Sequence, residues 1–164
     1  GMREPIQWLA FASNAFNVLV PFYATIDTTP DYFSSTTREV TTDSFYWVSR
    51  MIGAMADASY SKSIFHIERY QERVMSKGHE YINQYDELLE KESNAEKRMQ
   101  LRQEANEKIA DMVKESDAAK RMSLRHQANQ EIADMVKKEA SDTLNKVLYE
   151  LSNQMKNAYS RSDA

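Results

Sequence analysis

The chain has only three glycines and three prolines among its 164 residues, and this scarcity constrains the fold more than any other feature. Tight turns draw on these two residue types, so a sheet with many hairpins is disfavoured and long uninterrupted helices are favoured. Over residues 63–91 the apolar positions Ile64, Ile67, Val74, Met75, Ile82, Tyr85, Leu88 and Leu89 recur at three- and four-residue steps with charges between them. That spacing predicts one long amphipathic helix. Gly78 sits inside it at a cost of about 1 kcal/mol relative to alanine, which points to a close helix crossing. Ser93 or Asn94 is placed to cap a further helix.

An internal repeat follows, in which residues 97–114 recur as 120–137, an offset of 23, sharing Lys-Arg-Met, Leu-Arg, Ala-Asn and Ile-Ala-Asp-Met-Val-Lys. At about 100° per residue this offset overshoots six full turns by ~140°, so a single helix would aim the two apolar stripes in different directions. A break near Ser116-Asp117 is therefore expected. The copies then become the two arms of a helical hairpin, the second arm continuing through Leu144, Val147, Leu148, Leu151 and Met155.

The first sixty residues have another character, for they hold Trp8 and Trp47 together with Phe11, Phe16, Phe22, Phe33 and Phe45. Residues 6–11 and 17–24 are short, aromatic and β-branched, and are bounded by Ser13-Asn14 and by the turn cluster from Asp27 to Pro30, so two strands are expected. Residues 25–40, dense in Thr, Ser, Asp and Pro, read as an irregular connection. Thr42 or Asp43 can cap the helix that follows at 44–58. In that helix Phe45, Val48, Ile52 and Met55 form one apolar stripe, and Trp47, Met51, Ala54 and Ala58 form a second beside it. Leaving such side chains in water would forgo about 1.5–3 kcal/mol for each large one. The helix must therefore be covered on two sides, by this chain or by another. Trp8, Phe11, Phe16, Val20, Phe22, Phe45, Trp47, Val48, Met51 and Met55 are accordingly the candidate interface residues.

The expected fold class is mainly α, a helical bundle with a long hairpin arm preceded by two short strands. Residues 3–43 form the strand-and-loop part and 44–164 the helical region, with the duplicated arm at about 94–140.

Charged residues make up 28% and apolar ones 41%, and the net charge is -4, so neither nucleic acid nor an anionic membrane is an expected partner. The most apolar run, 6–24, is interrupted by Gln7, Ser13, Asn14, Asn17 and Pro21, which argues against a spanning helix. Arg3 followed at once by Glu4 and Pro5 makes a poor export leader, and Gly1 before Met2 looks like the remnant of a removed tag. A cytoplasmic protein is expected. With no cysteine, disulfides, zinc-thiolate sites and a thiol nucleophile are all excluded within this sequence.

No Gly-x-Ser-x-Gly elbow and no glycine-rich phosphate loop occurs. Glu68, Glu72 and His79 share a helix face and could ligate a metal, but no Glu-x-x-His pair accompanies them, so a solvated face is the expectation. Arg98, Arg102, Arg121 and Arg125, alternating with Glu104, Glu107 and Glu131, read as an exposed helix surface. The nine methionines read as packing material for the bundle core. No catalytic residue, metal ligand or cofactor site is expected.

The segments Ile6-Gln7-Trp8-Leu9-Ala10-Phe11, Val20-Pro21-Phe22-Tyr23, Asp27-Thr28-Thr29-Pro30-Asp31-Tyr32-Phe33, Ser44-Phe45-Tyr46-Trp47 and Ile64-Phe65-His66-Ile67-Glu68-Arg69-Tyr70-Gln71 resemble the C-terminal half of the dipeptidase A (PepD-like) family of N-terminal-nucleophile hydrolases. The resemblance resumes at Lys146-Val147-Leu148-Tyr149 and at Tyr159-Ser160-Arg161-Ser162-Asp163-Ala164. It implies metal-free dipeptide hydrolysis by an amino-terminal cysteine whose own α-amine is the base, in a layered αββα core. On that reading the nucleophile and most of the sheet lie upstream of Met2, and no family catalytic residue maps onto this sequence. The two strands are then remnants of that core, and the expected partner is the upstream catalytic segment. The alternative is a non-catalytic helical interaction module that self-associates, and a homo-oligomer is expected.

Overall fold

Alternation of aromatic and β-branched residues makes the front end a hairpin of two short strands, β1 (Ile6–Leu9) and β2 (Val20–Tyr23), antiparallel with Ile6 opposite Tyr23 and Leu9 opposite Val20. Both are shorter than their apolar runs suggest. The structure, a computed structural model, describes residues 3–102 and 107–155, and side chains 101–114 lie outside the description. Between the strands Ala12 adopts a left-handed φ of 74°, and Ser13 O accepts from the N–H groups of both Phe16 and Asn17 at 3.0 Å. A short helix, α1 (Asp31–Ser34), interrupts the connection expected to be irregular and buries Tyr32 and Phe33.

Helix α2 (Phe45–Ala58) is capped by Ser44, whose Oγ accepts from Trp47 N at 3.4 Å. The cap is therefore neither Thr42 nor Asp43; Ser44 is fully buried and its hydroxyl also donates to Ser35 O, which fastens the helix start to the end of α1. The stripe through Phe45, Val48 and Ile52 is buried. Of the second stripe, Trp47 and Met51 are half-buried while Ala54 and Ala58 are exposed, so α2 is covered fully on one side only. One residue, Ser59, separates it from α3 (Tyr60–Arg102); its non-helical φ of -140° ends α2.

Helix α4 (Glu107–Ser152) runs back along α3, as the cross-links show: His66 meets Glu150, Arg73 meets Glu139, and Tyr85 donates to Glu131. Two sequence expectations fail here. No new helix begins at Ser93 or Asn94, because α3 continues to Arg102, and no break occurs at Ser116-Asp117, because α4 passes through both. Serine or aspartate inside a helix costs only a few tenths of a kcal/mol up to ~0.7, far less than ending and renucleating one. The hairpin arms are thus α3 and α4 rather than the two repeat copies. The first copy straddles both helices, part of it outside the described residues, and only the second lies wholly on α4, so the angular conflict never arises.

The core is continuous, and α4 touches α1, α2, α3 and β2. On α4 it takes Ala128, Ile132, Ala133, Val136, Ala140 and Val147, all at 0% exposure, the three- and four-residue spacing of a helix face turned inward. Among the described methionines only Met135 is fully buried; Met99 and Met155 face solvent, so core filling falls mainly to Val, Ile, Ala and aromatic residues. Gly78 does mark a close approach, but to a strand rather than a helix: a Cβ there would lie 2.8 Å from Pro21 Cδ. The architecture is mainly α with one small two-stranded sheet.

Candidate functional site

The strand hairpin is clamped between charged and polar anchors that come from α4. Glu4, just before β1, accepts from Arg121 Nη2 at 2.6 Å and from Arg125 Nε and Nη2 at 2.9 and 3.0 Å. Arg125 is 8% exposed, and a forked guanidinium on a carboxylate is a strong, directional pairing. Burial alone would raise the Glu4 carboxyl, yet the hydrogen bonds and charges of Arg125 and Arg121 outweigh it and hold it below the usual range. Arg121 and Arg125 therefore do not belong to an exposed helix surface, as their periodicity suggested. Arg98 is exposed; the side chain of Arg102 lies outside the description.

Asn129, fully buried, forms the second anchor. Its Oδ1 accepts from Tyr23 N at 2.8 Å and its Nδ2 donates to Tyr23 O at 3.0 Å, so one amide side chain satisfies both outward main-chain groups of Tyr23 on β2. The Tyr23 hydroxyl donates to Asp86 Oδ1 on α3 at 2.8 Å; burial, then Asp86, pushes that hydroxyl well above the ordinary tyrosine range. A third anchor, Glu139, joins the two long helices by accepting from Arg73 Nε and Lys77 Nζ, each at 2.7 Å.

The candidate interface residues divide. Phe16, Val20, Phe45 and Val48 are inside the chain's own core, at 0–8% exposure. Phe11, Phe22, Trp47, Met51 and Met55 are half-buried: Phe11 packs edge-on against Phe45 and Tyr46, Phe22 meets Phe33, and Trp47 Nε1 donates to Thr37 O at 2.8 Å. Only Trp8, 46% exposed, presents a large apolar surface, with one side of its ring edge-on to His79 at 5.5 Å. Glu68 and Glu72 are exposed, and the structure does not bring them together with His79 as a metal-binding group among the described residues.

Between the 27–43 connection and α4 lies an open cleft of about 530 Å³, lined by Thr28, Tyr32, Asp43, His126 and Lys137 among others. Lys137 Nζ meets Asp43 at 2.9 Å. His126 Nε2 lies 2.7 Å from Asp27 Oδ1 and 3.4 Å from Thr28 Oγ1. A nucleophile relay needs the two ring nitrogens to serve two different partners; here one nitrogen faces both the hydroxyl and the carboxylate. The cleft's pairs fasten the connection to α4 and do not assemble a hydrolytic triad.

Sequence reasoning missed Glu4, Asn129 and Glu139. Asn129 sits in the repeated Ala-Asn word, but nothing in that word distinguishes a buried amide from a surface one.

The polypeptide so arranged is a mainly helical unit whose first part, from the strand hairpin through α2 into α3, matches a known peptidase family: residues 2–73 match the family described as Peptidase family C69. The chain carries that family's pattern over residues 2–73 and is similar to dipeptidases beyond them. It is 34% identical over 158 residues to the probable dipeptidase A of Streptococcus pyogenes serotype M3, an alignment covering 96% of this chain and 28% of that protein. It is 44% identical over 84 residues to a dipeptidase of Bifidobacterium longum, covering 51% of this chain and 16% of the relative. Dipeptidase A of Lactobacillus helveticus is 27% identical over 108 residues, with 66% and 22% covered. The chain thus spans little more than a quarter of the length of the Streptococcus relative. Among the described residues no helix is long and apolar enough to cross a membrane.

Proposed function

We propose that this chain is the C-terminal portion of a dipeptidase whose nucleophile, an N-terminal cysteine, resides on an upstream segment, and that the chain alone is inactive. The observation that carries the reading is the alignment of 96% of the chain with 28% of a probable dipeptidase A, in a sequence without a single cysteine. The geometry supports it, because the only histidine beside a hydroxyl, His126, is not arranged as a general base within the described residues. The role left to the chain is structural: it supplies an aromatic strand hairpin held against α3 and α4. A cytoplasmic setting suits a thiolate nucleophile, which there stays reduced.

The test is complementation. The chain is mixed with a separately expressed upstream segment and assayed against a panel of dipeptides, with each component alone as control. Hydrolysis by the mixture and by neither part alone is expected. Cleavage by the isolated chain, or a stably associated pair that cleaves no dipeptide, would overturn the reading. If the chain were instead a self-associating helical module, light scattering would find a stable oligomer with no need of an upstream segment.

A further inference from the structure

The two edges of the hairpin sheet are treated differently. Tyr23 gives its main-chain N–H and C=O to Asn129, so the Ile6–Tyr23 pair exchanges no hydrogen bonds across the sheet. Ala24 N donates to Pro5 O at 3.0 Å, which together with the register makes Gln7–Phe22 and Leu9–Val20 the bonded pairs. Ile6 and Trp8 therefore direct their N–H and C=O groups away from β2.

On the outer edge of β2 no main-chain N–H is left without a partner, and of its two outward carbonyls only that of Pro21 stays open. Asn129 takes those of Tyr23, and Pro21, opposite Trp8, has no N–H to satisfy. Among the described residues nothing equivalent lies along β1: the sheet contains β1 and β2 only. The segment Ile-Gln-Trp-Leu carries no charge, proline or bulge, so only its short length discourages another strand from pairing with it. Gln7 and Trp8 beside this edge are exposed.

We propose that the outer edge of β1 receives an extended strand of the catalytic segment, which hydrogen-bonds to the main chain of Ile6 and Trp8 and lies against the exposed part of the Trp8 ring. The inference rests on the dipeptidase reading above. The occupant follows from proportion and chemistry: this chain spans 28% of the Streptococcus relative, so most of such a protein lies outside it, and an open edge of two donors and two acceptors is matched by main chain in extended form. A second copy pairing edge to edge is the competing occupant.

Amide hydrogen exchange tests it. The probe is the Bifidobacterium longum dipeptidase lacking the stretch that matches this chain, added in trans to the full chain. Exchange at Ile6 and Trp8 is expected to slow at least about tenfold on mixing, while Gln7 and Leu9, already bonded to β2, change little. Trp8→Pro removes an outward donor and the ring, Trp8→Ala the ring alone, and neither removes a β1–β2 hydrogen bond. With both variants folded by circular dichroism, the proline variant should bind about tenfold more weakly than the alanine variant.

A mixture that hydrolyses dipeptides while Ile6 and Trp8 exchange as in the free chain overturns strand addition and leaves the dipeptidase reading intact. Protection of both amides without hydrolysis supports strand addition and counts against the activity. Equal binding by the two variants, or protection already present in a dimer of the isolated chain, also overturns it. Should the truncated probe be insoluble, the same amides are compared between the isolated chain and one joined covalently behind the probe. Unchanged exchange in the joined protein overturns the proposal.

Discussion

At the scale of single residues, two glycines make opposite predictions from the same chemistry. Replacing glycine by alanine inside a helix gains about 0.5–1 kcal/mol where space allows. At Gly53 a Cβ would meet Ala12 Cβ at 3.5 Å, an ordinary contact, so Gly53→Ala should raise stability by that amount. At Gly78 it would fall 2.8 and 2.9 Å from two ring carbons of Pro21, and a proline ring cannot swing aside. Moving β2 off α3 costs more than the propensity returns, so Gly78→Ala should destabilise by about 1–2 kcal/mol net. Denaturant midpoints at constant m-value report both.

Asn129 is the sharper case, since it must donate and accept at once. Asn129→Asp keeps the volume and loses the donor, facing a carboxylate oxygen with Tyr23 O in a buried site; a loss of about 2–4 kcal/mol is expected. If Asn129→Asp were as stable as the parent in thermal unfolding, the anchoring role would be refuted.

At the scale of elements, the helical pair depends on Glu139. Burial raises its carboxyl, but hydrogen bonds and charges from Lys77 and Arg73 prevail and leave it below its ordinary value of 4.5. A carboxylate held lower in the folded than in the unfolded chain adds stability that is complete above the unfolded value and is lost as pH falls through the folded one. Acidification below about pH 4.5 should therefore lower the Tm of the parent more steeply than that of Glu139→Gln, and the two should converge in acid. At neutral pH the variant should be weaker by only about 1–2 kcal/mol, because Arg73 and Lys77 are 34% and 42% exposed and regain water. Parallel acid profiles for the two proteins would exclude this role.

The elements were legible where apolar spacing is local. Both strands, the start of α2 within a residue, and the inward positions Ile67, Val74, Ile82 and Leu89 of α3 follow from the periodicity of their own segments. Pairings between distant segments were not legible. Arg121 and Arg125 alternate with acids along α4 as surface residues do, and only the arrival of Glu4 from the far end of the chain makes them interior. The expected break at Ser116-Asp117 rested on one helix carrying both repeat copies, whereas the first copy straddles α3 and α4. The candidate interface failed to resolve for the same reason: composition cannot separate an aromatic residue buried by its own chain, such as Phe45, from one left outward, such as Trp8.

At the scale of the whole molecule, α4 is the element on which the others depend. It packs on α1, α2, α3 and β2, and its side chains supply the anchors Arg121, Arg125, Asn129 and Glu139. An element touching nearly every other cannot leave without exposing the shared core, so unfolding should be a single cooperative event. The two tryptophans make this measurable, because Trp8 on β1 and Trp47 on α2 report the front end while far-ultraviolet circular dichroism reports mainly α3 and α4. Fluorescence and circular dichroism should trace one urea transition with one midpoint. Glu4→Ala sharpens the test: it leaves Arg125 buried without its carboxylate, at a cost of about 2–3 kcal/mol, yet removes none of the hydrogen bonds that join α3 to α4. If the fold is one cooperative unit, both signals shift by the same amount. If fluorescence moves to lower urea while the helical signal stays in place, the hairpin opens independently of the helices and the clamp from α4 is not what unites the chain.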